Sequence, residues 1–295
     1  MRIRLAMAAA VVMALCLASS LGAQEPAAPR RSITNVTGDL YMATENTHNT
    51  VFLVTPQGIV LADPINKAFS EWLKGELATR FPNRPVKFVL HSHHDYDHAS
   101  GAEVWNDTAE IIAHENFATE VKKAAAEARP GQYADVRMPE STFRGKRLIT
   151  LGGESVEMID PGPNHALDTA VLRFPKERAV FFVDFISLPK RFSAVIAGPA
   201  PFPDWVKAMK FVEGLDFDIA IPGHGAVGTK QDVTIYRQYF EEMLKVVSDG
   251  IAAGQTVEQI QASHALDKYS DWQAFPAAKN RNIAETYALM KAQRQ

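Results

Sequence analysis

The sequence predicts an α/β fold of one domain, and three observations carry that prediction. Short apolar runs rich in β-branched and aromatic residues alternate with stretches whose apolar residues recur at helical spacing. Apolar residues make up 46% of 295 residues, enough for a substantial core, and no low-complexity segment or linker divides the chain after its first residues. The residues with the most chemistry, above all His91-Ser92-His93-His94-Asp95-Tyr96-Asp97-His98, follow directly on the apolar runs.

The N-terminus is read apart from the fold. Arg2 and Arg4 precede the apolar run Leu5 to Leu17, and small residues follow at Ala18, Ser19, Ser20, Gly22 and Ala23. This is the pattern of a secretory signal peptide, expected over 1–23 with cleavage near Ser20 or Ala23 and a mature protein that is periplasmic or secreted. The run is short for a membrane span and no second one occurs, so no stable membrane insertion is expected. Cys16, the only cysteine, lies in this segment and follows Leu15, where a lipoprotein signal would have a small residue. The mature chain then has neither disulfide nor thiolate, and its chemistry must come from imidazoles, carboxylates and hydroxyls. Residues 24–38 read as a flexible lead-in, and 39–295 as the domain with a helical C-terminal extension.

Leu40 to Ala43, Val51 to Val54 and Ile59 to Ala62 are predicted strands, separated by turn residues such as Pro56-Gln57-Gly58. Phe69, Trp72, Leu73, Leu77 and Phe81 mark one face of a helix that stops before Pro82. Val86 to Leu90 is a buried strand, and four imidazoles and two carboxylates follow within eight residues. Ser100 to Trp105 can start a helix, Ile111 to Ala113 is a strand, and Glu115 to Ala128 is helical up to Pro130. Leu148 to Leu151 and Val156 to Ile159 flank Gly152-Gly153 as a hairpin. The loop Asp160 to His165 precedes the strands Ala170 to Phe174 and Val180 to Val183, the second of which ends at Asp184. An irregular stretch from Phe185 to Pro203 leads into a helix from Trp205 to Leu215. Ile219 to Ile221 is a strand ending in Pro222-Gly223-His224-Gly225, and the chain from about Lys230 is helical with an interruption near Gly254.

With 31 basic against 34 acidic residues, scattered along the chain, no nucleic-acid partner is expected. The expected partner is a small-molecule substrate, and the sequence leaves the oligomeric state open.

In its motifs the chain resembles the metallo-β-lactamase superfamily. The family pattern is a His-x-His-x-Asp-His stretch after a strand, a His after a Gly/Pro loop, an Asp ending an apolar strand, and a His in a Gly-His context. Here His93-His94-Asp95-Tyr96-Asp97-His98, His165, Asp184 and His224 occur in that order. Matching His91 and His93 to the first two histidines would put Tyr96 at a ligand position. Keeping Asp97-His98 as the Asp-His pair is the better register, and it places Asp95 where the family has its second histidine.

The resemblance implies an αββα sandwich, two mixed β-sheets flanked by helices, holding two divalent metal ions. It implies one ion on His93, Asp95 and His165, a second on Asp97, His98 and His224, and Asp184 between them. Zinc is expected first, with iron or manganese as alternatives, because a third carboxylate makes the donor set one unit more negative and so kinder to harder ions. Asp97 is the expected catalytic group, orienting the attacking hydroxide or taking its proton. His91 and His94 are read as supporting residues, Asp63 as a structural carboxylate, and His114, His264 and His48 as structural or surface residues, with His48 near enough to an early strand to reach the rim. Lys190, Arg191 and Phe192 are placed to line the mouth and suit an acidic, partly apolar substrate.

The activity implied is an exported dinuclear metallohydrolase acting on an ester, lactone, thioester or lactam. A β-lactamase proper, an iron-dependent redox enzyme of the same fold and a non-catalytic periplasmic metal-binding protein are the alternatives.

Overall fold

A computed structural model describes residues 28–292. The expected signal peptide, 1–23, lies outside the described residues.

The elements run β1 (Arg31–Thr37), β2 (Leu40–Glu45), β3 (His48–Thr55), β4 (Gly58–Leu61), α1 (Lys67–Arg80), β5 (Val86–Leu90), α2 (Tyr96–Ala99), β6 (Glu110–His114), α3 (Phe117–Glu127) and β7 (Ser141–Phe143). Then follow β8 (Lys146–Leu151), β9 (Glu154–Ile159), β10 (Val171–Phe174), β11 (Ala179–Phe182), α4 (Phe202–Gly214), β12 (Ile219–Pro222), β13 (Gly228–Thr229), α5 (Lys230–Ala252), α6 (Val257–Gln261) and α7 (Ala277–Ala292). The stretch Ala102–Trp105, expected to start a helix, is a single 3-10 turn.

β1 corrects the expectation of a flexible lead-in through residue 38. Its sequence, Arg-Ser-Ile-Thr-Asn-Val-Thr, has only two apolar residues, but it pairs antiparallel with β2 along nearly its whole length. The Arg31 Nε to Glu45 contact of 2.6 Å closes one end of the pair. Strand status here comes from the partner rather than from local pattern.

Strands β1 to β7 form one sheet in sequence order, and the second runs β13-β12-β11-β10-β9-β8. Both are mixed. β1 to β4 are antiparallel whereas β4 to β7 are parallel, and in the second sheet β11 and β12 are the parallel pair. The apolar runs are continuous because both faces of each sheet are covered. In β3, Val51 and Leu53 point into the core between the sheets, while Phe52 and Val54 pack under α1 on Phe69, Leu73 and Leu77. In β11, Phe181 faces the other sheet, and Val180 and Phe182 face Trp205, Met209 and Tyr236 of the C-terminal helices. Alternation of side chains along a strand thus assigns each residue to one of two cores. The result is the αββα sandwich, with the clustered histidines and aspartates at the ends of β4, β5, β11 and β12.

Candidate metal centre

The His-rich segment leaves β5 at His91 and is fixed from both sheets. His91 donates its backbone N–H to Ile112 in β6, and Ala170 donates to the carbonyl of Ser92. Asp63, buried just beyond β4, accepts from the Ser92 backbone at 2.7 Å and from its hydroxyl at 2.6 Å. That hydroxyl proton is therefore spent, and the Ser92 oxygen 2.9 Å from His93 Nδ1 must accept from it. His93 Nδ1 carries a proton, so Nε2 is the ring nitrogen left to face inward, buried and without a hydrogen-bond partner.

His98, wholly buried, has Nδ1 3.6 Å from the same Asp63 oxygen that accepts the Ser92 hydroxyl, and its Nε2 directed inward. Its backbone carbonyl accepts from Ile65, a β-branched residue at φ +67°, a conformation that such residues rarely adopt. The turn ends at Gly101, φ +91°, where a Cβ would lie 2.5 Å from the backbone of Asn66. Only glycine lets the segment seat so closely.

The other donors sit on equally constrained backbone. Asp184 has φ +67°, and Phe185 donates its N–H to Val183 across it at 2.9 Å, a three-residue turn that swings the carboxylate away from the path of β11. His224 follows Gly223, whose missing Cβ leaves room for Val183 at 2.5 Å. Asn49 holds this loop by donating to Pro222 and Gly225 at 3.0 and 2.7 Å. His165 shares a hydrogen bond between Nδ1 and the Ala197 carbonyl, in which the nitrogen must donate, so its Nε2 is the free donor atom.

Two clusters result. His93, Asp95, His165 and Asp184 form one, and His48, Asp97, His98 and His224 the other. Asp184 reaches both: its Oδ2 lies 3.4 Å from His93 Nε2 and 3.6 Å from His98 Nε2, and its Oδ1 3.1 Å from His224 Nε2. The structure brings all seven expected ligands together, with Asp184 between the groups. Three carboxylates and five inward imidazoles in a partly buried space demand cations. In the protein alone, burial opposes charge on His93, but Asp95 and Asp184 outweigh it and hold its pKa well above the ordinary value. Burial likewise works against ionisation of Asp184, yet the imidazoles of His98, His224 and His93 keep it well below the usual carboxylate range. A donor set of ionised carboxylates against inward imidazoles fits divalent metal ions, which the fold and these residue groups together suggest.

The remaining histidines lie outside the two clusters. His94 shares a hydrogen bond at 2.8 Å with the fully buried Asp168, and His91 is buried flat on Phe117. His114 lies 3.4 Å from Asp160, at the start of the loop that carries His165. His264 is exposed and pairs with Asp267.

A cavity of about 320 Å³ opens onto the clusters, and Ile186, Ser187, Arg191, Ala194 and Val195 complete its lining. Of the three residues expected at the mouth, Arg191 alone is there. Lys190 turns away to Asp271, and Phe192 is buried against Tyr239 and Trp272. Both correct the sequence reading, because packing on helices far along the chain sets the direction of this loop. The residue that sequence reasoning placed no nearer than the rim is His48, whose Nε2 is 3.1 Å from Asp97 Oδ2. No local signal marks it; its position depends on the bridge between the start of β3 and His224.

A family model described as the metallo-beta-lactamase superfamily matches residues 44–224. The 2,4-dinitroanisole O-demethylase subunit alpha of Nocardioides sp. (strain JS1661) is 26% identical over 199 residues, which are 66% of this chain and 58% of that protein. Among solved structures, a metallo-beta-lactamase from Pontibacter korlensis is 20% identical with a TM-score of 0.61, covering 72% of this chain and 99% of that one. A metallo-beta-lactamase from Hirschia baltica is 17% identical with a TM-score of 0.60, covering 70% and 96%. Likeness at such identities speaks for the fold alone. Since the family model spans more than half of the sequence and the sandwich agrees with it, the chain belongs to the metallo-β-lactamase superfamily.

Proposed function

We propose that this protein is an exported, dinuclear metal-dependent hydrolase that cleaves a carbonyl-type bond (ester, lactone, thioester or lactam) in a small anionic, partly apolar molecule. The observation that carries the reading is the pair of clusters sharing Asp184 in a cavity that Arg191 also lines. Export rests on Arg2, Arg4 and the apolar run to Leu17. No helix among the described residues is long and apolar enough to cross a membrane.

Two bound divalent ions, zinc first and iron or manganese as alternatives, would supply a Lewis acid and a water acidic enough to be deprotonated near neutral pH. His93, Asp95 and His165 would hold one, and Asp97, His98 and His224 the other, with Asp184 between. The remaining work falls to the chain's own groups. Burial alone would raise the pKa of Asp97, but His48 and His98 outweigh it and keep the carboxylate ionised, so it can orient the attacking water and accept its proton. Arg191 has no ion-pair partner among the described residues and binds the substrate's anionic group. Ile186, Ala194 and Val195 cover its apolar part and keep bulk water out.

The 26% identity to the demethylase subunit favours one second reading, cleavage of an O-methyl aryl ether, in which water yields the phenol and methanol. The test is metal analysis of protein purified without added metal, with turnover of a cephalosporin, an acyl-homoserine lactone, a thioester and 2,4-dinitroanisole. About two equivalents of metal and chelator-sensitive hydrolysis of any acyl substrate support the first reading; turnover of the ether alone supports the second. Bound iron with oxygen consumption and no hydrolysis overturns both in favour of redox chemistry.

A further inference from the structure

We infer that His48 is a protein ligand of the second metal ion, making that cluster richer in donors than the family motif alone provides. This rests on the dinuclear reading above.

The spacing is the first ground. His48 Nε2 lies 3.1 Å from Asp97 Oδ2, matching the gaps between other pairs of inward donors: 3.1 Å for His98 Nε2 to His224 Nε2, and 3.1 Å for His165 Nε2 to Asp95 Oδ2. One donor atom from each of His48, Asp97, His98 and His224 falls within a common 4.8 Å span, the separation that ligands of one ion allow.

The rings give the second ground. His48 meets His224 edge to face, with centroids 4.4 Å apart and planes at 70°, much as His98 meets His224 at 5.0 Å and 83°. Imidazoles that converge on one point from different directions pack this way. A histidine that merely buttressed Asp97 would have no reason to sit against both other imidazoles of the cluster, yet His48 is also 5.7 Å from the His98 ring.

Backbone fixes the arrangement. His48 forms a bridge with His224, Asn49 donates its N–H to the Gly223 carbonyl at 2.8 Å, and the Asn49 side chain binds Pro222 and Gly225. The start of β3 and the end of β12 therefore move as one piece. His48 is delivered with His224 as a pair, although 176 residues separate Asn49 from Gly225.

The count of donors then becomes unequal. Asp97, His98, His224 and His48 surround the second position, whereas His93, Asp95 and His165 surround the first, and Asp184 serves both. Sites filled by protein donors hold metal for structure, and sites with a vacancy use it for chemistry. On that count the second ion would be the tightly held one and the first the exchangeable one, although donors of both line the cavity.

The experiment compares the full chain with His48→Ala and His48→Gln, in stepwise metal release to a chelator and in nitrogen-labelled, cadmium-substituted protein by NMR. Glutamine can still donate to Asp97 but supplies no imidazole. The expected result is two equivalents in the wild type, and in both variants one of them released at least about tenfold more readily, a loss of the order that even a residue supporting a metal ligand causes. Coupling between cadmium and a ring nitrogen of His48 is also expected, because it passes only through a bond. Unchanged release in His48→Gln, or no such coupling in a wild type holding two ions, overturns the inference and leaves the dinuclear reading standing. A wild type that binds no second ion overturns both.

Discussion

Asp184 and the loop that begins at the next residue make a sharp contrast. Up to Asp184 the chain is governed by a strand: Ala179 to Phe182 are completely buried between two layers, and a tight turn at φ +67° fixes where the carboxylate points. From Phe185 to Pro203 there is almost no regular structure, and each side chain goes where a distant helix offers room. Phe185, Leu188, Phe192 and Ile196 enter the C-terminal helical core, Ile186 lies between that core and the cavity, and Arg191, Ala194 and Val195 are left to the cavity. The donors are set by a scaffold local to each strand end, whereas the substrate wall is set by long-range packing. Substitutions on the two sides should therefore fail differently.

The largest effect is expected at Asp184→Asn. Asparagine tolerates the left-handed backbone as aspartate does, so the fold and its melting behaviour should persist. What is lost is the charge between the two clusters, and with it at least one metal equivalent and turnover by about ten-thousand-fold, about 5.5 kcal/mol. Near-normal metal content with near-normal turnover would show that Asp184 does not link the clusters.

Phe192→Ala should do the reverse. Removing a ring packed on Tyr239, Trp272 and Phe275 opens a void in the helical core and is expected to cost about 3–5 kcal/mol of stability in denaturant unfolding. Metal content under native conditions should hold, because no donor rests on Phe192. A loss of metal before any loss of fold would mean that the loop reaches the donors, through Asp184 or through the Ala197 carbonyl on His165, and the contrast between the two regions would fail.

The same contrast explains what could be read from the sequence. His93, Asp97, His98 and Asp184 were legible because donor chemistry recurs at strand ends, where a short apolar run and the residues after it lie in one window. The order of strands β2 to β6 and the layer flanked by α1 followed from equally local patterns. β7 and β13 escaped because they are three and two residues long, and β1 because only its pairing with β2 makes Arg31–Thr37 a strand. His48 could not be recognised without knowing that β3 starts beside the end of β12. Phe192 looked like a mouth residue because the helices that claim it begin some forty residues later.

His91 tests the scaffold side without touching a donor. Both ring nitrogens are buried without partners, and burial pulls the pKa from 6.5 to about 4. The unfolded chain takes up a proton near pH 6.5 and the folded protein only near pH 4, so stability rises with pH across that window. The contribution is complete above pH 6.5, is lost progressively as pH falls to about 4, and amounts to about 3 kcal/mol. A cation bound nearby would act in the same direction. His91→Leu, compared with the wild type in unfolding experiments from pH 4 to 7, should remove that slope. A parallel pair of curves would show that His91 takes up protons alike in both states.

The smallest effects separate neighbours on the loop. Arg191→Ala is expected to raise KM about ten- to hundredfold for an anionic substrate, about 1.4–2.7 kcal/mol, with kcat and metal content little changed, because the guanidinium holds the substrate equally before and during reaction. Arg191→Lys should recover part of this, since charge is kept and the paired hydrogen bonds are not. Lys190→Ala, one residue away, should do almost nothing. Its ammonium is exposed on Asp271, and an exposed ion pair is worth about 0–1 kcal/mol. Adjacent cations of equal charge would then differ in effect only because the buried Phe192 ring anchors the loop and sets which of them faces the cavity. Equal losses at Lys190 and Arg191 would mean that long-range attraction, rather than a contact, draws the substrate in, and raised salt would then abolish both.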